Sequence, residues 1–305
     1  MKLLTLDIES HYSQEYSLRK MTVPEYVLNV QWETICRGVK LDDGPIEVID
    51  GPDFPAWLAD LDPTQTIMLN YNSLYDACVI AWRYGFVPVR LVDVMGLVRC
   101  LRGHLLKGVS LETVAAHFHL KAKGHTIAQV KGMRRAQIMA QPALWKSFKE
   151  YCAHDVELTW QIFNLLAPEM PRSEFKVMDL VLRCAVTPVF HADIPLLERH
   201  LQEVANEKER LLIEAGADKG DLMSTEKFKQ LLTARGIEIE YKPSPSNPEI
   251  MNPCFAKTDQ FMTNLLENED PAVQALAAAR LGVRSTIEES RCQRLLSIAR
   301  LEWPT

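Results

Sequence analysis

The 305-residue sequence has few cysteines, and their arrangement is unfavourable for two classes of small protein. Its seven cysteines are scattered and odd in number, and no two of them form a C-x-x-C pair. This spacing argues against a disulfide framework and against a zinc ribbon. It is typical of a protein from a reducing compartment, so we expect a cytosolic setting.

Long apolar runs are also missing. No stretch approaches the roughly 20 apolar residues that a membrane-spanning helix needs. The apolar N-terminus is interrupted by Asp7 before the hydrophobic region of a signal peptide would be complete. With 47% hydrophobic and 24% charged residues, the composition is that of an ordinary globular protein. These observations predict a cytoplasmic protein without a membrane partner.

Positive charge is scarce overall but locally concentrated. The formal net charge is −6, yet residues 83–149 contain twelve basic and two acidic residues, a net charge of +10. The remainder of the chain therefore carries −16. A basic block inside an acidic protein is a candidate footprint for nucleic-acid phosphates, and a solvated helical surface is the alternative.

Strand-like and helix-like patterns follow one another in the first half of the chain. We predict strands over 2–8, 34–41, 46–49 and 66–71, with Gly44-Pro45 as a turn. Helices are predicted over 76–84, from Ser110 onward, and over 142–167. Antiparallel strands followed by strand–helix alternation favour an α/β fold of the RNase H-like type, a mixed sheet flanked by helices.

The pattern changes near residues 168–173. Amphipathic helical runs then dominate, so we divide the chain into 1–170, an RNase H-like domain, and 171–305, an all-helical segment. The proline-rich stretch 242–253 is predicted to be a loop. Asp270-Pro271 is predicted to open a helix that continues to about Arg300.

Acidic residues occur where a buried strand is expected. In "KLLTLDIES", Asp7 and Glu9 lie two apart and therefore share one strand face, where like charges repel. A solvated strand end would tolerate the pair. Asp76 follows another strand at a helix start, and Tyr151 and Asp155 lie four apart on one helix face. If these groups converge, divalent cations with oxygen ligands, magnesium or manganese, are required to neutralise them.

These motifs resemble those of a known enzyme superfamily. "DIE" in the first strand, "NSLYD" in the middle and "YCAHD" in a later helix resemble the three motifs of the DEDD exonucleases. Tyr151 corresponds to the tyrosine branch. The histidine branch would have a His where this chain has Glu150.

The resemblance extends over nearly the whole chain. "YSLRKMTVPEYV", "MSTEKFKQLLTARGI" and "ALAAARLGVRSTIEESRCQR" are similar to segments of phage-type family A DNA polymerases. By this resemblance, 171–305 is a connector and the start of the polymerase thumb. Palm and fingers motifs are absent before Thr305, so we expect this polypeptide to remove nucleotides and not to add them.

The resemblance also implies a mechanism. It implies two-metal phosphodiester hydrolysis at a DNA 3′ end during replication proofreading, which releases nucleoside 5′-monophosphates. Asp7, Glu9 and Asp155 would hold one metal, Asp7 and Asp76 the second, and Tyr151 would orient the attacking water. Candidate residues for contacting the strand are Tyr12, Asn72, Tyr75, Lys107, Lys121, Lys123, Arg134 and Arg135.

Other interpretations remain open at this point. An RNase D-like exoribonuclease shares the three motifs but leaves the family A segments unexplained. A non-catalytic DNA-binding scaffold is a further alternative, against which the intact acidic residues and Tyr151 argue. Asp93 is expected mainly as a helix cap. Arg280, Arg284 and Arg291 are candidates either for contacting a DNA backbone or for a solvated helix face.

Overall fold

The computed structural model describes residues 1–121 and 129–304, which form two compact units. The first unit comprises Met1–Phe190 together with the C-terminal residues from Leu301, and the second comprises His191–Arg300. No helix among the described residues is long and apolar enough to cross a membrane. The assignment of 171–305 as connector and thumb stays a prediction.

The first unit contains a five-stranded mixed sheet. Its strands are β1 (Lys2–Ser10), β2 (Thr34–Leu41), β3 (Ile46–Asp50), β4 (Thr66–Asn70) and β5 (Arg90–Asp93). Their spatial order is β3-β2-β1-β4-β5. β1 pairs antiparallel with β2 and parallel with β4, so strand direction changes at the centre of the sheet. The predicted RNase H-like mixed sheet is therefore confirmed.

Helices flank this sheet. They are α1 (Val23–Val27), α2 (Phe54–Ala59), α3 (Leu74–Tyr84), α4 (Val94–Arg102), α5 (Leu111–His117), α6 (Arg135–Met139), α7 (Pro142–Leu166) and α8 (Arg172–Val186). The predicted start of α5 is confirmed, because Ser110 caps it by accepting a hydrogen bond from the Thr113 amide. Gly85 ends α3 in the left-handed conformation at φ 65°, which a glycine adopts without strain.

The two faces of β1 pack against different parts of the fold. Leu4, Leu6 and Ile8 are buried in one apolar cluster that also includes Ala77 and Ile80 of α3. The alternate residues of β1 lie on the opposite face, where α7 packs against β1 and β2. This arrangement places the acidic side of β1 under the long helix α7.

The second unit is helical with one short two-stranded ladder. Its elements are α9 (Ile194–Ala215), α10 (Lys219–Met223), α11 (Thr225–Thr233), β6 (Tyr241–Pro243), β7 (Met251–Pro253), α12 (Gln260–Leu266), α13 (Pro271–Arg284) and α14 (Ile287–Ala299). Its core includes Phe228, Leu232, Met262 and Leu276. α9 packs against both α13 and α14.

Two predictions for this unit are wrong in detail. The helix predicted from Pro271 to about Arg300 is interrupted, because Ser285 has extended backbone angles between α13 and α14. α14 then starts after Thr286, whose side chain makes no capping hydrogen bond. The proline-rich stretch contains the antiparallel β6–β7 ladder, in which Pro243 and Pro253 occupy terminal positions that tolerate a missing N–H donor.

Candidate active site

The first part of the site is the strand β1. Asp7 and Glu9 share the face that is covered by α7, and both side chains are partly buried. The ladder with β2 pairs Asp7 with Gly38 and Glu9 with Cys36, and its register shifts between Glu9 and Ser10. Strand periodicity therefore positions the two carboxylates side by side at the end of the regular ladder.

α7 adds the third carboxylate. Asp155 is buried on this helix, and oxygen atoms of Asp7, Glu9 and Asp155 all lie within 4.8 Å of one another. The structure thus brings together residues that are almost 150 positions apart in sequence. We refer to these three residues as the carboxylate cluster.

Asp76 lies beside this cluster. It is buried in the first turn of α3, and its Oδ1 accepts a hydrogen bond from the Ile8 amide at 3.1 Å. Burial raises the pKa of Asp76 well above its usual range, and the neighbouring negative charge of Asp7 raises it further. Four carboxyl groups therefore occupy one region.

Tyr151 completes the arrangement one helical turn before Asp155. Its side chain is 6% exposed and stacks on Phe148. Burial raises the pKa of Tyr151 strongly, and the charges of Asp155, Glu9 and Asp7 raise it further, as does a hydrogen bond with Asp155. The hydroxyl group therefore stays protonated and can act as a hydrogen-bond donor at any ordinary pH.

The chemistry of the cluster suits a hard divalent cation. Carboxylates separated by about 5 Å repel by about 3 kcal/mol per pair at an effective dielectric near 20. A cation among them turns this repulsion into attraction. The three side chains of the carboxylate cluster all offer oxygen donors, which fits magnesium or manganese better than zinc.

Sequence reasoning missed the residues that support β1 and α7. The Asn70 amide donates to the Leu6 carbonyl at 2.7 Å and holds β4 against β1 immediately before Asp7. The Cys152 thiol lies 3.7 Å from Asp7 Oδ2. Gly38 faces α7 closely, because a Cβ atom there would lie 2.7 Å from Val156 Cγ2 and 3.1 Å from the Cys152 carbonyl oxygen. An isolated glycine within a strand is a recognisable signal of such an approach.

Tyr75 and Asn72, two of the candidate strand-contacting residues, make contacts within the fold. The Tyr75 hydroxyl donates to Ser10 Oγ at 2.6 Å and accepts from Trp32 Nε1 at 3.3 Å. The backbone N–H of Asn72 donates to Asp93 Oδ1 at 2.9 Å, while the Asn72 residue is exposed. Asp93 also accepts from the Met95 amide at the start of α4, so it caps that helix as expected.

The basic candidates differ in their surroundings. Arg134 lies 3.4 Å from Glu33, and Arg135 lies 3.9 Å from Asp50, so both form intramolecular ion pairs. Lys107 and Lys121 are exposed. The Lys121 carbonyl oxygen accepts a hydrogen bond from His154, which adjoins Asp155.

Tyr12 and Lys123 complete the set of candidates. Tyr12 is partly buried and packs against the apolar cluster that contains Phe148 and Cys152. Burial raises the pKa of Tyr12, and the nearby Glu9 charge raises it further. Lys123 lies outside the described residues.

Comparison with known proteins gives one curated match. No protein-family model matches the chain. The DNA polymerase of Bacillus phage SP02 is 26% identical over 201 residues, which are 59% of this chain and 30% of that polymerase. The chain thus spans less than a third of the length of this relative.

Among solved structures, one with a TM-score above 0.5 supports the fold. The Pol domain of Pol1 from M. smegmatis, in complex with DNA primer-template and dNTP, has a TM-score of 0.52 and 16% identity, covering 93% of this chain and 44% of that chain. NrnC from Brucella melitensis has a TM-score of 0.42 and 15% identity, covering 61% of this chain and 82% of that chain. The Pol1 structure and the phage match together confirm the predicted resemblance to a DNA polymerase.

Proposed function

We propose that the chain is a metal-dependent 3′–5′ DNA exonuclease, the proofreading module of a family A DNA polymerase. The observation that carries this proposal is the carboxylate cluster, with its oxygens within 4.8 Å of one another. Buried Asp76 and Tyr151 beside the cluster support the same proposal. We place the reaction in the cytoplasm, of a bacterial host if the chain is of phage origin.

The acidic residues would hold the metal ions. Asp7, Glu9 and Asp155 would bind one divalent cation, and Asp7 with Asp76 would bind a second. When bound, the cations would supply charge neutralisation and activate water for hydrolysis. Magnesium and manganese both fit this donor set.

The other polar groups position the reactants. Tyr151, held protonated by its surroundings, would hydrogen-bond the attacking water and orient it toward phosphorus. Hydrolysis breaks the bond between phosphorus and the 3′ oxygen of the penultimate nucleotide, which leaves with a proton. A nucleoside 5′-monophosphate is released.

The substrate is a single-stranded or frayed 3′ end. Opening each terminal base pair costs about 1.4 kcal/mol in stacking, so a duplex end is expected to be a poorer substrate. The basic block between residues 83 and 149 supports binding of the phosphate backbone. A polymerase portion would be the natural partner, since it would supply the mispaired ends.

The experiment is a time course with single strands of DNA and RNA of one sequence, labelled at the 5′ end. Manganese is present, and a second DNA strand carries a 3′-terminal phosphorothioate linkage. We expect a ladder that shortens from the 3′ end, faster on DNA and slowed by the phosphorothioate. Internal cuts, degradation from the 5′ end or preference for RNA would contradict the proposal.

A further inference from the structure

The main-chain ladder between β1 and β4 ends before the acidic part of β1. Its last pair is Thr5 with Leu69, two residues before Asp7. Backbone groups of a buried strand need hydrogen-bond partners. From Leu6 onward, other groups must therefore provide the hydrogen bonds on the β4 side of β1.

Two side chains at and after the end of β4 provide such bonds. Asn70 Nδ2 donates to the Leu6 carbonyl oxygen at 2.7 Å. Asp76 Oδ1 accepts a hydrogen bond from the Ile8 amide at 3.1 Å. Because Leu6 and Ile8 are the neighbours of Asp7 in the strand, these two bonds fix the backbone on both sides of Asp7.

A third hydrogen bond fixes the residue after Glu9. The Tyr75 hydroxyl donates to Ser10 Oγ at 2.6 Å. On the other side of β1, the ladder with β2 shifts its register between Glu9 and Ser10, so main-chain pairing is irregular there. The Tyr75 bond therefore holds β1 where its ladder is least regular. Together the three bonds fall on every second residue of β1, and the two acidic residues lie between them.

Asn70 is an unusual residue for a purely structural position. Its side chain is 0% exposed, and its Oδ1 atom is buried without a hydrogen-bond partner among the described residues. An unpaired buried oxygen lowers stability and offsets what the Nδ2 bond contributes. An apolar side chain would fill this position without that cost. The polar group is explained by what it holds, which is the carbonyl directly before Asp7.

We propose that Asn70 and Tyr75 are positioning residues for hydrolysis, which act by fixing β1 around its two acidic residues. This inference rests on the proposed function, in which Asp7 and Glu9 bind metal. It gives Tyr75 a role within the fold in place of the strand contact predicted from the sequence. Without either bond, the carboxylates are held less firmly, so metal binding and the chemical step weaken while binding of the strand does not.

The test combines two measurements on the full chain. Manganese binding is measured by electron paramagnetic resonance without DNA, and cleavage of a labelled single strand gives kcat and KM. The variants are Asn70→Ala and Tyr75→Phe, the second of which keeps the aromatic ring. The controls are Thr66→Ala, at the other end of β4, and Tyr71→Phe. Each control loses one hydroxyl hydrogen bond to a carbonyl oxygen elsewhere in the first unit, at 2.7 Å in both cases.

We expect each variant to weaken manganese binding and to lower kcat by about three- to tenfold, the factor that one hydrogen bond contributes. KM for the strand should stay near that of the wild type. The two controls should lose stability and keep wild-type manganese binding and kcat. If Asn70→Ala does not fold, Tyr75→Phe decides the result.

Two results would overturn the inference and leave the proposed function standing. One is a raised KM with unchanged manganese binding in Tyr75→Phe, which would show a contact with the substrate strand. The other is manganese binding and kcat in the variants that equal those of the controls. A wild type that binds no manganese would contradict the proposed function itself, and this inference with it.

Discussion

At the scale of single residues, the site is defined by four acidic side chains that the fold brings close together. Asp7, Glu9 and Asp155 meet within 4.8 Å, and buried Asp76 lies beside them. Carboxylates in a stabilising core would be spread apart or matched with cations. Their convergence costs folding free energy, which metal binding would recover.

The first prediction concerns Asp7, which touches both metal positions in the proposal. Asp7→Ala should abolish cleavage of a labelled single strand. Melting in metal-free buffer should be unchanged or higher by a few degrees, because the substitution relieves repulsion of about 3 kcal/mol per pair. Gel assays and calorimetric melting measure the two effects. A variant that unfolds, or that cuts at the wild-type rate, would contradict the role given to Asp7.

The second prediction separates the Tyr151 hydroxyl from the bulk of its ring. Tyr151→Phe keeps the stacking on Phe148 and removes the hydrogen-bond donor, so hydrolysis should slow by up to about 100-fold. Manganese affinity should change little, since Tyr151 is not a proposed ligand.

The matched control for this prediction is Tyr71→Phe. The Tyr71 hydroxyl donates to the Val109 carbonyl oxygen at 2.7 Å, so its loss should cost about 1 kcal/mol of stability without slowing cleavage. Equal rates in Tyr151→Phe and the wild type would remove Tyr151 from the mechanism.

The proposed ligands could be found from sequence because they obey local periodicity. A spacing of two in a strand and of four in a helix each fixes a shared face. Sequence spacing does not show whether a basic residue forms an ion pair with an acidic residue that is distant in sequence. Arg134 and Arg135 were candidate strand contacts, yet they lie beside Glu33 and Asp50, which are far away in sequence.

At the scale of secondary-structure elements, the site depends on how closely α7 approaches the sheet. This helix carries both Tyr151 and Asp155, and β1 carries their partners. Gly38 of β2 lies opposite Asp7 in the ladder and leaves room for Val156 and Cys152. A strand glycine therefore sets the distance between helix and sheet at the site.

The third prediction tests this contact. Gly38→Ala would place a Cβ atom 2.7 Å from Val156 Cγ2, so α7 must move outward. We expect a loss of about 1–3 kcal/mol in the free energy of unfolding, from denaturant titration. Weaker manganese binding should accompany it, because Asp155 moves away from Asp7 and Glu9.

A control and a rescue make this result specific. Gly103→Ala introduces a Cβ atom with nothing within 4 Å, and it should change neither stability nor metal binding by much. Adding Val156→Ala to Gly38→Ala removes the clashing Cγ2 atom and should restore part of both losses. Wild-type behaviour of Gly38→Ala alone would show that the contact does not set the site geometry.

Secondary-structure elements were predicted best where the sequence carries one clear strand pattern or one clear helix cap. β2 was predicted with its observed bounds, and the N-cap of α5 was identified correctly. The break between α13 and α14 was missed, because the apolar pattern continues through Ser285 while both helices pack on α9. The β6–β7 ladder was missed because the four prolines of residues 242–253 predict a loop, and each strand has only three residues.

At the scale of the whole molecule, the uneven charge should govern how nucleic acid binds. The net charge is −6, yet residues 83–149 carry +10. Within that block, Lys107 and Lys121 are exposed, whereas Arg134 and Arg135 are matched with acidic residues. We therefore expect the two lysines to contribute more to strand binding than the two arginines.

The fourth prediction follows from counterion release. Binding of a single strand in EDTA should weaken steeply with salt, and Lys107→Gln or Lys121→Gln should each reduce the log–log slope by about 0.7. Arg134→Gln, in contrast, should leave the slope nearly unchanged. Fluorescence anisotropy at several salt concentrations measures these slopes. If Arg134→Gln flattens the slope and neither lysine substitution does, Arg134 and not the two lysines contacts the phosphates.

We expect the carboxylate cluster to be a divalent-metal site. Titration with manganese, with free ion counted by electron paramagnetic resonance, tests it without reference to activity. The wild type and Asp60→Ala, which alters an exposed acid, should bind manganese equally, and Asp7→Ala should lose that binding while remaining folded. Equal manganese binding by folded Asp7→Ala and the wild type would contradict the claim.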